Sequence, residues 1–183
     1  MSRYVALLRG INVGGNNVIR MTALKACFEK QGFRDVTTFI QSGNVLFDAV
    51  DSGRVQLVQQ IEMMLAATFH YPASIVLRGH KQMRDIVERA PAGFGTQPDR
   101  YRCDVIFLKE PLKASVALKS VLVRQGVDHA HAGPGVLYFS RLISKATQSQ
   151  LSRIVSLPIY QRLTIRNWNT TTKLLRMMGG SET

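Results

Sequence analysis

Read from its first residue, this chain passes strand, helix, strand, strand, helix, strand, and after a proline- and glycine-rich break it passes the same order again. Residues 4–11 are a continuous apolar run, rich enough in Val, Leu and Ile for a strand buried on both faces. Met21, Leu24, Cys27 and Phe28 recur at helical spacing, with Gly32 as a stop, which predicts a helix over 22–31. Two β-rich runs, 36–40 and 45–47, flank Gln41-Ser42-Gly43-Asn44, whose turn chemistry predicts a hairpin. Val58, Ile61, Leu65 and Phe69 mark a second helix closed by Pro72, and a strand over 74–77 ends in Arg78-Gly79. A further helix, with Met83, Ile86 and Val87 on its apolar face, runs to Ala90.

Residues 90–99 hold two prolines and two glycines and no hydrophobic period, so a boundary belongs there. Beyond it come a strand over 103–108, a helix over 112–123, a hairpin of 127–131 and 136–139, a helix over 144–155, a strand over 163–166 and a last helix over 170–178. Val5-Ala6-Leu7-Leu8-Arg9 lies over Val105-Ile106-Phe107-Leu108-Lys109, and Val76-Leu77-Arg78 lies over Thr164-Ile165-Arg166, with basic residues at matched strand ends. The expected fold is therefore α+β, two tandem ferredoxin-like (βαββαβ) subdomains packed together, 1–90 and 91–183, the second carrying the C-terminal helix. With 45% hydrophobic residues, the chain can bury a core of this size.

The net charge of +12 is far enough from neutral to attract anions whatever the fold. It is uneven: residues 111–181 carry ten Lys and Arg against one acid, Asp128, whereas residues 1–90 carry eleven against seven. No apolar run approaches the roughly 20 residues that span a bilayer, and the first residues lack the order of a signal peptide, so the chain reads as cytoplasmic. Cys27 and Cys103 have no paired spacing for zinc or redox chemistry and read as small buried hydrophobes.

Three stretches could carry chemistry. In Arg9-Gly10-Ile11-Asn12-Val13-Gly14-Gly15, a fixed charge at a strand end meets glycines that let backbone N–H groups turn toward an anion, although the spacing matches no standard phosphate loop. Gln41, Ser42 and Asn44 gather donors and acceptors around one turn. Arg166-Asn167-Trp168-Asn169-Thr170 is a strand end entering a helix, where Asn169 or Thr170 can cap and the free N–H groups, with Arg166 and Lys173, can hold a phosphate or carboxylate. Trp168 reads as a core anchor ahead of a stacking platform. The sandwich is expected to hold the hairpin and the glycine loop at opposite ends of a sheet, so that one site would need Arg9 of one half to meet Arg166 of the other. His129 and His131 share a strand face without an evident third ligand, and the acids are scattered, so no metal or cofactor is implied.

Those three stretches, with Tyr4 through Gly15, Gln41-Ser42-Gly43-Asn44-Val45 and Arg166 through Thr170 as they stand here, resemble the signature stretches of a bacterial domain-of-unknown-function family, number 1697. The resemblance implies two ferredoxin-like α+β subdomains and no established activity. The functional expectation is binding of a phosphate-bearing ligand, a nucleotide or single-stranded nucleic acid, through Arg9, Gly10, Asn12, Gly14, Gly15 and the Arg166, Asn167, Asn169, Thr170 stretch. The alternative is an enzyme acting on a small anionic substrate in a cleft between the subdomains, clamped by Arg9 and Arg166 and oriented by Gln41, Ser42 or Asn44. An anionic small molecule or nucleic acid is the expected partner, with no membrane, and the oligomeric state stays open between monomer and weak dimer.

Overall fold

The computed structural model describes residues 1–12, 18–50 and 53–179. It is an α+β chain with two four-stranded antiparallel sheets. The first sheet is built from β1 (Ser2–Leu8), β2 (Arg34–Phe39), β3 (Asn44–Ala49) and β4 (Ile75–Gly79), in the order β2-β3-β1-β4. The second has β5 (Tyr101–Leu108), β6 (Asp128–Gly133), β7 (Val136–Leu142) and β8 (Leu163–Asn167), in the order β6-β7-β5-β8. Five α-helices accompany them among the described residues: α1 (Met21–Lys30), α2 (Arg54–Phe69), α3 (His80–Glu88), α4 (Ala114–Ser120) and α5 (Trp168–Met178). None is long and apolar enough to cross a membrane.

Two compact units result, Met1–Lys81 with 176–179, and Gln82–Leu175. The division falls ahead of the 90/91 boundary read from composition. The reason is packing: the Tyr138 hydroxyl of β7 donates to the Ile86 carbonyl at 2.6 Å, and Phe94 stands edge-on to Tyr138 and Trp168 at 5.4 and 5.2 Å. Residues 90–99, open linker by composition, form a wall of the second unit.

In the first unit Tyr4, Ala6 and Leu8 of β1 join Val45 and Phe47 of β3 in one core with Leu24 and Phe28 of α1 and Leu57, Ile61 and Leu65 of α2. Phe47 anchors an aromatic cluster, 4.7 Å from Phe33 and 5.3 Å from Phe28 between ring centres. Val5 and Leu7, which alternate with that face, are also fully buried, so β1 is closed on both sides. The second unit repeats the arrangement: Ile106, Leu108, Leu137 and Phe139 pack with Ala117, Leu151 and Ile154, while Val105 and Phe107 are buried on the alternate face.

Three elements differ from expectation. The first strand stops at Leu8 rather than running to residue 11. The helix over 112–123 shortens to α4, ending where the β-branched Val121 turns extended (φ −80°, ψ 124°). The helix over 144–155 is absent; 3₁₀ segments occupy Ile143–Gln148, Leu151–Ser156 and Pro158–Arg162. Its polar residues compete with the helix for backbone groups: Ser149 Oγ accepts from Leu151 N–H at 3.2 Å, Ser156 Oγ donates to Arg153 O at 2.7 Å, and Asp128 Oδ2 draws off Gln150 N–H at 2.9 Å.

The expected separation of glycine loop and hairpin is also overturned. Because β1 pairs antiparallel with β3, with Leu7 opposite Asn44, the end of β1 lies beside the turn that opens β3. Leu8 N–H donates to Gly43 O at 2.8 Å and Arg9 N–H to Ser74 O at 2.9 Å. The second unit has the same two bonds, Leu108 N–H to Gly135 O at 3.0 Å and Lys109 N–H to Arg162 O at 2.8 Å. Gly43 sits at φ +77°, and a Cβ there would stand 3.0 Å from Leu8 Cβ and closer still to Ile11. Gly43→Ala is therefore expected to cost about 1–3 kcal/mol from the left-handed backbone alone, with the crowding added to it, read as a lower urea midpoint.

Candidate functional site

The first two candidate stretches meet in the first unit, where Asn12 joins them. Asn12 Nδ2 donates to Gln41 O at 2.8 Å and to Ile19 O at 3.0 Å, while its Oδ1 accepts from Ile19 N–H at 2.8 Å. One side chain thus closes the loop on itself and ties it to the hairpin. Asn44, fully buried, donates to Phe39 O at 2.8 Å and to Ser42 Oγ at 3.3 Å. Gly10 takes the positive φ (+68°) that glycine supplies, and Arg9 is half-buried beside it. Gly14 and Gly15 lie outside the described residues.

The third stretch belongs to the second unit. Arg166 is 6% exposed, and its Nη1 donates to Thr164 Oγ1 and to Ile165 O, both at 2.8 Å. Burial pulls its guanidinium down to about 10, still a cation at neutral pH. It is therefore held inside the sheet and is not presented as an open clamp. Arg78 does the same in β4, with Nη1 on Leu77 O at 2.9 Å, and the two occupy matching registers opposite Val5 and Val105. The helix cap is Asn167, whose Oδ1 accepts from Thr170 N–H at 2.7 Å; Asn169 and Thr170 themselves lie within α5. Thr170 is buried, and Thr171 and Thr172 return their hydroxyls to Asn167 O and Asn169 O.

Where β8 passes into α5, a cavity of about 500 Å³ opens, bounded by the starts of β5 and α5, the end of β7 and the 95–98 segment. Asn167 and Asn169 line it, and with them Trp168, Tyr101 and two arginines outside the three candidate stretches, Arg102 and Arg141. These two are direct cross-strand partners of β5 and β7. Trp168 is half-buried: it stacks edge-on to Phe94 and covers Gly95, where a Cβ would collide with the indole, yet it keeps a wall of the cavity. Arg102 and Arg141 carry no local signal; their opposition comes from the register of two strands, which a pair of isolated runs does not reveal.

Next to the cavity lies Asp104, opposite Asn167 in register. Its Oδ2 is 3.9 Å from Arg141 Nη2, too long for a hydrogen bond, and neither Asp104 Oδ2 nor Arg141 Nε, both buried, has a hydrogen-bond partner. Burial pushes the Asp104 carboxyl up, against the pull of Arg141 and Arg102. Burial likewise pushes up the Cys103 thiol, which also lines the cavity, so it is a protonated small hydrophobe and not a poised nucleophile. Cys27 and Cys103 are both buried and form no disulfide. His129 and His131 stand exposed on β6, and among the described residues no group of three or more His, Cys, Asp or Glu is placed to hold a metal ion.

A family model described as "Protein of unknown function (DUF1697)" matches residues 1–138. Among solved structures, a conserved bacterial protein of Streptococcus pneumoniae, SP0830, is similar to this chain at 27% identity and a TM-score of 0.85, covering 97% of this chain and 98% of its own. No curated protein matches.

The raised Asp104 carboxyl has a consequence for stability. A carboxyl whose folded value lies above its unfolded value, near 3.9, binds a proton more readily in the fold, so falling pH favours the folded state through that group. Asp104→Asn removes this dependence. The stability of the wild type, measured against the variant by urea unfolding, should rise as pH falls through the raised Asp104 value and level off below roughly pH 3.9.

Proposed function

The chain belongs to the DUF1697 family, and we propose that it binds a small phosphate-bearing ligand in the cavity at the start of α5. The observation that carries the reading is the Arg102–Arg141 pair. Like charges directly opposite on adjacent strands destabilise a sheet, by about 0.2–1 kcal/mol on the scale of cross-strand pairs, and an anion seated between them turns that cost into attraction. The cavity favours the anion further. Its lining includes no carboxylate, and the first turn of an eleven-residue helix adds the positive end of its dipole.

A volume of about 500 Å³ suits a compact ligand of nucleotide size. The lining brings no paired carboxylates and no activated nucleophile, so the reading is of a binding protein rather than a hydrolase. On the same reading Arg9 and the glycine loop serve the joint between β1 and the hairpin, and Arg166 braces β8 from behind. Each sheet, with its strand order and the apolar core on one face, is taken as a ferredoxin-like sandwich, two in tandem, of a chain working in the cytoplasm.

Trp168 is the one tryptophan, and it lines the cavity, so its fluorescence reports occupancy. Inorganic pyrophosphate is expected to give a saturable change that survives high salt. Arg102 is exposed, and Arg102→Ala should leave the fold intact while weakening pyrophosphate by about tenfold or more, the loss of one charge-assisted contact. No saturable response in the folded wild type, or an unchanged affinity in Arg102→Ala, overturns the proposal.

A further inference from the structure

The second unit concentrates unpaired positive charge in one layer. On the sheet face of Ile106, Leu108, Leu137 and Phe139 two stretches pack, one around α4 through Leu112, Ala117 and Val121, the other through Leu151 and Ile154 of a 3₁₀ segment. They are tied together at one point, where Asp128 Oδ2 accepts from Arg124 N–H at 3.0 Å and from Gln150 N–H at 2.9 Å. What these stretches and their flanks leave to solvent is basic: Lys113, Lys119, Arg124, Lys145, Arg153 and Arg162 are all exposed. Residues 111–175 hold a single acid, Asp128, which is 4% exposed and has its Oδ2 taken by those two backbone groups. None of the six cations takes part in an ion pair among the described residues.

We propose that this layer is a docking surface for a nucleic-acid duplex, held through its phosphates without reading its sequence. Cations spread over a layer with no exposed acid among them find no counter-charge in the protein, and a run of regularly spaced phosphates supplies one. The class of partner follows from what else the layer exposes. Its only aromatic outside the strands, Tyr160, is half-buried against the core, so no ring is presented for stacking on unpaired bases. A lipid interface takes a helix with a broad apolar face, and of the large apolar residues in α4 only Val116 is exposed. A duplex backbone calls for cations alone. The surface is separate from the anion cavity, whose lining includes none of the six.

Fluorescence anisotropy of labelled double-stranded DNA and double-stranded RNA of mixed sequence, titrated with the full chain at rising salt, tests this. At least one duplex should bind more tightly than its own single strand, with an affinity that falls steeply as salt rises. Lys119→Ala, Arg124→Ala, Lys145→Ala and Arg153→Ala combined should weaken that duplex by about tenfold or more and flatten the salt slope by about 2 to 4. A control removes the same formal charge from exposed positions of the first unit, through Arg20→Ala, Lys30→Ala, Arg34→Ala and Lys81→Ala, and should leave the affinity within about threefold. If the layer variant has a lowered urea midpoint, the milder Lys119→Gln with Lys145→Gln replaces it, with an expected loss of about threefold or more. Equal losses in the layer variant and the control mean that net charge alone attracts the duplex, and they overturn the proposal. So does the absence of duplex binding, an unchanged affinity in a folded layer variant, a preference for the single strand, or capture of phosphatidylserine vesicles in place of duplexes.

Discussion

The central strand of each sheet is out of water on both faces, and the placement of the polar groups beside it depends on that. Tyr4 through Leu8 in β1 and Cys103 through Leu108 in β5 are buried without interruption. A polar side chain on such a strand must find its partners inside or lie near an end. Arg78 and Arg166, opposite the centres of β1 and β5, take the first course: each curls onto the carbonyl of the residue before it. Binding chemistry is thereby pushed to the sheet ends. At the end where β1 finishes, backbone bonds from Leu8 to Gly43 and from Arg9 to Ser74 close the gap. In the second unit, the opposite end stays open and holds the cavity.

Much of this is legible in the sequence for a plain reason. A doubly buried strand is a continuous apolar run, and 4–8 and 103–108 are such runs, so the centres of both sheets stand out. The hairpin around Gly43 is signalled by turn residues, and the entry into α5 by a polar cluster after a strand. What stays hidden depends on partners far along the chain. The 144–155 segment has apolar residues at helical spacing, yet Asp128, twenty-two residues before Gln150, takes that residue's N–H and the helix does not form. The glycine loop resembles an anion cradle because its residues are those of one. That Asn12 engages Gln41 and Ile19 emerges only when β1 is known to lie beside β3. Arg102 and Arg141 are the sharpest case, since nothing pairs them until the register sets them face to face.

That pair also shows how one architecture can be given two uses. Val5 lies opposite Leu46 and Arg78, and Val105 opposite Tyr138 and Arg166, so residue 2 in the first sheet corresponds to residue 102 in the second. The cross-strand pair at that position is Ser2 with Ala49 in the first unit and Arg102 with Arg141 in the second. Small neutral residues there ask nothing of the sheet, whereas two guanidiniums weaken it unless something negative stands by. Two acids stand by Arg141: Asp128, its cross-strand partner on β6, whose Oδ2 is already taken by the N–H groups of Arg124 and Gln150, and Asp104 at 3.9 Å, whose charged form is disfavoured by burial. A fold that needed only stability would have no reason to prefer this arrangement to the one in its first unit. The charge left over at the mouth of the cavity is what the proposed anion site rests on.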